Sequence, residues 1–162
     1  MGVSFAVITS AYGRQSQGTV RPHLLDLPVS QYGVDMADHT DDLRLAHILA
    51  DDADSLTMSR FGARDLTVST KPDHSEVTDA DLAVEDSVRR TLSRMRSRDA
   101  VHGEERADTG DGPRRWIIDP IDGTANFLRG VPVWATLIAL SVEDQIVASV
   151  VSAPALKRRW WA

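Results

Sequence analysis

Trp116-Ile117-Ile118-Asp119-Pro120-Ile121-Asp122-Gly123-Thr124-Ala125-Asn126-Phe127 places two carboxylates three residues apart around a proline, ahead of a Gly-Thr pair where a helix can begin. Asp119 precedes Pro120 and is biased towards an extended backbone, while Pro120 suits the second position of a type I turn. Such a turn would bring Asp119 and Asp122 to one side and point the Ile121 carbonyl outward. Two carboxylates and a carbonyl make half of the oxygen shell that a hard divalent cation requires. The N–H groups at a helix start offer donors to a phosphate. Asp-Pro-x-Asp alone reads as an ordinary surface turn; Trp116, Gly123, Thr124, Asn126 and Phe127 around it single it out.

Working outward, His102-Gly103-Glu104-Glu105 closes a short β-prone run, Ala100 to His102. It is either a solvated acidic loop or a third carboxylate set beside Asp119. Upstream, Val77-Thr78-Asp79-Ala80-Asp81 begins a helix at Thr78, with Thr78 and Asp81 spaced as a capping box and Asp79 as a first-turn acid. Val84, Val88, Leu92 and Met95 form the apolar stripe of that helix. An earlier helix starts at Thr40, which can cap it. Leu45, Ile48, Leu49, Ala53 and Leu56 fall on its apolar face, and Gly62 can end it. Leu66 to Thr70 is a short β-prone run, and Lys71 follows in a polar Thr-Lys-Pro-Asp loop. Beyond the opening stretch, Trp134 to Val142 and Ile146 to Ser152 pair around a Glu143-Asp144-Gln145 turn, and Lys157 to Trp161 makes a further strand. The order implies an α+β layered sheet with helices on one face.

The chain has 162 residues, 42% of them hydrophobic, enough for one ordinary core. It has no cysteine, which excludes a disulfide framework and thiolate chemistry. A net charge of −6 argues against nucleic acid or an anionic membrane as the main partner. No apolar run approaches the roughly 20 residues needed to span a bilayer. Val3 to Ile8 lacks the preceding basic residue of a secretory signal, so a cytoplasmic location is expected. Residues 1–35 show no sustained period and are expected to be an irregular extension. Met36 is then either the physiological start or a residue behind a genuine flexible arm. Residues 36–162 form the ordered α+β unit, and Trp160-Trp161-Ala162 reads as an apolar strand that stops mid-fold.

The stretch from Trp116 resembles the W-x-x-D-P-x-D-G-T-x-N-F signature of the inositol monophosphatase superfamily, whose members are magnesium-dependent phosphomonoesterases. Gly103-Glu104-Glu105 and Val77 to Asp81 resemble two further motifs of that family, and the likeness runs from about Leu43 to Ala162. It implies the N-terminal portion of a layered α/β/α/β/α sandwich of the inositol monophosphatase and fructose-bisphosphatase type. It implies Mg2+ held by Glu104, Asp119, Asp122 and the Ile121 carbonyl, with Asp119 bridging two ions. Thr124 would orient the attacking water, Asp81 would help hold the water region, and Lys71 matches a lysine near the active site. The amides of Gly123 and Thr124, together with Asp122, would receive the phosphate. Glu105 is a supporting candidate behind Glu104.

Asn126 to Ala135 and Ser152 to Ala162 are most similar to the actinobacterial histidinol-phosphatases. The resemblance therefore implies a small phosphate monoester as substrate: histidinol phosphate first, inositol 1-phosphate second, a bisphosphate nucleotide third. It also implies a homodimer when the chain is complete. Nothing here matches the family's later W-D-x-A segment, which carries a ligand of the second metal, so low activity is expected of this stretch alone. A non-catalytic protein pairing through its aromatic edge strand is the reading from another class.

Overall fold

The computed structural model describes residues 39–72 and 74–162; the expected N-terminal extension, Met36 and Asp73 lie outside them. Helix α1 (Thr40–Arg60) is followed by β1 (Val68–Thr70), β2 (Glu76–Thr78) and α2 (Asp79–Met95). Then come β3 (Ala100–Gly103), β4 (Arg114–Asp122), the short α3 (Thr124–Leu128), β5 (Ala135–Val142), β6 (Gln145–Ala153), a 3-10 turn and β7 (Arg158–Trp161). The last five strands form one sheet in the order β3-β4-β5-β6-β7, in which only the β3–β4 pair is parallel. β1 and β2 make a separate antiparallel hairpin.

Helices α1 and α2 pack together on one face of the sheet. Leu45, Leu49, Val84, Val88 and Leu92 meet Trp116, Ile118, Ile138, Leu140, Ala148 and Val150 there. Each fully buried Leu, Ile or Val in this layer stabilises the fold by about 1.5–3 kcal/mol. The α+β layering expected from the sequence is therefore present.

The details correct several expectations. Thr40 does not cap α1: it is the first helical residue, and the N-cap, His39, makes no side-chain capping hydrogen bond to the helix amides. Ile48 is exposed, because the buried arc of α1 runs through Ala46, Ala50, Ala53 and Thr57, small groups that let the helix approach its neighbours closely. Met95, at the last turn of α2, is also exposed. The Thr78–Asp81 capping box forms in full, despite the shorter reach of aspartate.

Two turns decide the strand geometry. The expected type I turn at Asp119-Pro120 is absent: β4 continues through Asp122 and absorbs one extra residue as a bulge. Asp119 pairs with Leu137 but Asp122 with Ala135, three steps against two. Pairing with β5 overrides the local turn preference, and Pro120 sits where its missing N–H is tolerated. Between β5 and β6, Glu143 and Asp144 both have positive φ, 49° and 64°, in a two-residue turn with Val142 opposite Gln145. That is the primed hairpin geometry, which glycine and asparagine adopt at lower cost. Replacing Glu143-Asp144 by Asn-Gly should raise stability by about 0.5–1 kcal/mol. Chemical denaturation with an unchanged denaturant slope is the check, and a neutral or lower midpoint would count against the strained turn.

Candidate active site

Parallel pairing of β3 with β4 builds the site. Gly103 lies opposite Ile118, and the Glu104 amide donates to the Ile118 carbonyl at 3.2 Å. The next residue on each strand is thereby an acid, Glu104 beside Asp119. The β4 bulge then presents the Ile121 carbonyl and Asp122, and Gly123 turns the chain into α3 at φ 94°. A Cβ on Gly123 would lie 3.2 Å from the Val133 carbonyl oxygen, so both conformation and space call for glycine.

Glu104, Asp119, Ile121, Asp122, Gly123 and Thr124 line one open cavity of about 1090 Å³. The Thr124 hydroxyl lies 3.0 Å from the Ile121 carbonyl oxygen and 3.3 Å from Asp81 Oδ1. Asp81, 1% exposed, stands behind Thr124, and its other oxygen accepts from the Thr78 amide and hydroxyl. Lys71 reaches in from the β1–β2 hairpin loop, with Nζ 2.8 Å from both Glu104 Oε1 and Glu105 Oε1. The expected site residues thus come together. Glu105 turns away from the cavity, and its side chain is only 5% exposed.

A second apolar cluster backs the site. Phe61, Phe127 and Trp134 meet with ring centroids 5.0–5.6 Å apart, next to Ile121 and Ala80. Asn126 Nδ2 donates to the Val133 carbonyl at 2.8 Å, which closes the loop from α3 to β5. The aromatic and Asn positions of the signature therefore hold the backbone that carries Asp122 to Thr124. Trp116 is different: it is core at the far side, with Nε1 donating to Asp99 at 2.9 Å.

The electrostatics are unfavourable for a group of free carboxylates. Asp119 is 4% exposed and its Oδ1 is buried without a hydrogen-bond partner. Burial, then the charge of Glu104 and a hydrogen bond shared with it, then the charges of Asp122 and Asp81, push its carboxyl far above the ordinary carboxylate range. Asp122 is raised by burial and then by Glu104. Burial also raises Asp81, against the lowering effect of its Thr78 and Thr124 hydrogen bonds. Lys71 moves the opposite way to its burial, because hydrogen bonds to Glu104 and Glu105 hold its proton.

An all-oxygen donor set with an orphaned buried carboxylate oxygen fits a hard divalent cation. Among the described residues, no three His, Asp or Glu side chains are drawn into a finished coordination shell. Glu104 points its Oε1 at Lys71 instead.

Sequence reasoning missed Glu85, a fully buried acid on α2. It accepts from the Glu105 amide at 2.7 Å, the Arg106 amide at 3.2 Å and Arg89 Nε at 2.7 Å. The available signal was a carboxylate lying on the Val84, Val88, Leu92 stripe of an amphipathic helix.

Residues 39–162 match the inositol monophosphatase family. The chain belongs to that family. It is 63% identical over 131 residues to the histidinol-phosphatase of Streptomyces coelicolor, covering 78% of this chain and 49% of that protein. The histidinol-phosphatase of Mycobacterium tuberculosis is 62% identical over 123 residues, covering 75% and 47%. Among solved structures, the extragenic suppressor protein suhB from Bartonella henselae superposes with a TM-score of 0.73 at 32% identity, over 76% of this chain and 49% of that one. The chain spans about half the length of the curated relatives it matches. The likeness to the actinobacterial members is borne out. In this inositol monophosphatase fold, no helix among the described residues is long and apolar enough to cross a membrane.

The raised Asp119 carboxyl fixes a sign for stability against pH. The unfolded chain releases this proton near pH 4, about the value of a free aspartate, while the folded protein retains it. Metal-free protein should lose stability as pH rises from about 4 through neutrality. Asp119→Asn, which mimics the neutral carboxyl, should melt higher than the parent in chelator at pH 8 and show a flatter pH dependence. Calorimetry across that range is the measurement; a variant that melts lower at pH 8 would contradict the buried, protonated state.

Proposed function

We propose that this chain carries the ion-binding and water-orienting part of a magnesium-dependent phosphoric monoester hydrolase whose substrate is histidinol phosphate. The observation that carries the reading is the buried Asp119 carboxylate, its oxygen orphaned, set among Glu104, Asp122 and the Ile121 carbonyl on a cavity floor. Those four groups would hold the divalent ions. Mg2+ suits an all-oxygen set that leaves room for water and phosphate. Bound there, the cation supplies charge neutralisation for the phosphate and acidity for a coordinated water.

The chain's own residues supply the rest. The Thr124 hydroxyl, facing Asp81 and the Ile121 carbonyl, can give its proton to either and keep a lone pair for the attacking water. Asp81 is held in turn by the Thr78 cap, so the α2 N-terminus fixes the direction of that hydroxyl. The first N–H groups of α3 have no acceptor within the helix, which offers the Gly123 and Thr124 amides to phosphate oxygens alongside the Asp122 subsite. The Lys71 ammonium offsets the charge of Glu104 and Glu105.

The two relatives above 60% identity, both named histidinol-phosphatase, support histidinol phosphate; the family at large supports inositol 1-phosphate as the second substrate. Residues 36–162 would be the α+β part of a larger catalytic domain, in a cytoplasmic protein that acts as a homodimer. A non-catalytic reading draws on β7, an edge strand whose Trp160 and Trp161 are 54% and 61% exposed.

The test is phosphate release by the full-length protein from both esters, with chelator and with added Mg2+. Turnover should require Mg2+ and favour histidinol phosphate by at least about tenfold in kcat/KM, or roughly 1.4 kcal/mol of transition-state binding. Asp119→Asn should abolish it, and Thr124→Ala should cost roughly a hundred- to ten-thousandfold while Thr124→Ser retains most of it. Near-parental turnover in Asp119→Asn would sink the scheme, and Mg2+-independent release would sink the ion assignment.

A further inference from the structure

The backbone that carries Glu104 is gripped from beneath by a group outside the cavity. Glu85 projects from the middle of α2, is fully buried, and ends against the turn that follows β3. Its two oxygens accept from consecutive amides, Glu105 at 2.7 Å and Arg106 at 3.2 Å, and from Arg89 Nε at 2.7 Å. Arg89 completes a buckle, donating to the Thr109 hydroxyl at 3.0 Å and the Arg106 carbonyl at 3.3 Å. Thr109 itself exchanges backbone hydrogen bonds with Val101 on β3. The whole return loop after β3 is therefore tied to one side chain on α2.

Gly103 records the same fit from the other side. A Cβ there would collide with the Glu85 carboxylate and lie 2.8 Å from Arg89 Nη2. Its backbone is not in the left-handed region, so the glycine is explained by this close approach alone. A buried carboxylate in so tight a site is an expensive element for stability, and a neutral packed residue would serve a merely structural loop as well. What the carboxylate adds is direction: two adjacent amides fixed on it set where the Glu104 side chain emerges.

We infer that Glu85 is a positioning residue, which holds the Gly103-Glu104-Glu105 turn so that Glu104 faces Asp119 and the pair can share a divalent cation. The inference rests on the ion-binding reading of the cavity. Groups that orient metal ligands are commonly worth ten- to a hundredfold in affinity.

The experiment compares the full-length parent with Glu85→Gln, Gly103→Ala and, as a control, Val88→Ala, a core truncation one turn further along α2. Mn2+ binding is measured by electron paramagnetic resonance, Mg2+ by competition, and amide exchange at Glu105 and Arg106 by NMR. Glu85→Gln should weaken ion binding by about tenfold or more and release both amides to exchange, while circular dichroism stays parental. Gly103→Ala, which pushes on the same carboxylate, should weaken binding too, and the double variant should lose less than the sum. Val88→Ala should melt lower yet bind the ion as the parent does. Unchanged affinity in Glu85→Gln and Gly103→Ala, or an equal loss in Val88→Ala, overturns the inference. If Glu85→Gln does not fold, Gly103→Ala decides it by the same comparison. A parent that binds no divalent ion overturns the ion-binding reading, and the positioning role falls with it. Exchange at the two amides still reports whether Glu85 grips the turn.

Discussion

The interaction on which the rest of this structure depends is the crowding of carboxylates around Asp119 at the end of a strand that is otherwise core. Trp116 and Ile118 of β4 face the helices and are fully buried, while Asp119, one step on, points to the opposite face and is still only 4% exposed. An isolated charge cannot be held so deeply at neutral pH; it is neutralised by a proton or by a cation. Every neighbouring feature bears on that choice. Parallel pairing delivers Glu104, the bulge delivers Asp122 and a carbonyl, and the hairpin delivers the Lys71 ammonium to Glu104 and Glu105. The fold thus maintains an arrangement that opposes its own stability in the absence of a cation, as sites built for charge chemistry commonly do.

Holding such an arrangement requires β4 to be fixed at both ends. At its start, Arg114 bonds Asp42 at 3.0 Å and Asp99 at 3.1 Å, Arg96 also bonds Asp42, and Trp116 bonds Asp99. Asp42 and Asp99 have side chains only 7% exposed, so these contacts are worth more than surface ion pairs, and they join α1, α2 and β4 around two acids. At its end, the Phe61, Phe127 and Trp134 cluster packs beneath the bulge, and the Thr136 hydroxyl donates to the Pro120 carbonyl at 2.7 Å. With a strand gripped by ions at one end and aromatics at the other, the carboxylates between them have little freedom to relax apart.

How much of this the sequence showed follows from the range of each interaction. Asp119, Asp122, Gly123 and Thr124 were legible because their chemistry lies within one short segment, and the Thr78–Asp81 box because capping is local. The bulge was not: a dipeptide preference favours a turn at Asp119-Pro120, and only the β5 partner, more than a dozen residues on, holds the strand extended. The hairpin strand Glu76–Thr78 was too short for any alternation to register. Ile48 misled because hydrophobicity alone placed it inward, whereas the packing chose alanines. Glu85 needed two facts from different elements, a charge on an apolar helix stripe and a glycine on a strand, which become one fact only when α2 and β3 are adjacent.

The same division of range separates reaction class from substrate. Groups that act on phosphate serve every monoester alike, since charge neutralisation and water orientation take place on the phosphorus side of the scissile bond. On the proposed reading, Glu104, Asp119, Asp122 and Thr124 would carry the class and say nothing of the alcohol. The cavity wall presents Arg129, His74, Leu156 and Trp160, which are exposed rather than packed. A polar contact made or lost at such a wall discriminates far more sharply than an added methylene. An imidazole and a cyclitol differ in charge, planarity and hydroxyl count, which are the properties such contacts read. The motif that identifies the family is for this reason the part of the chain least able to name the ester.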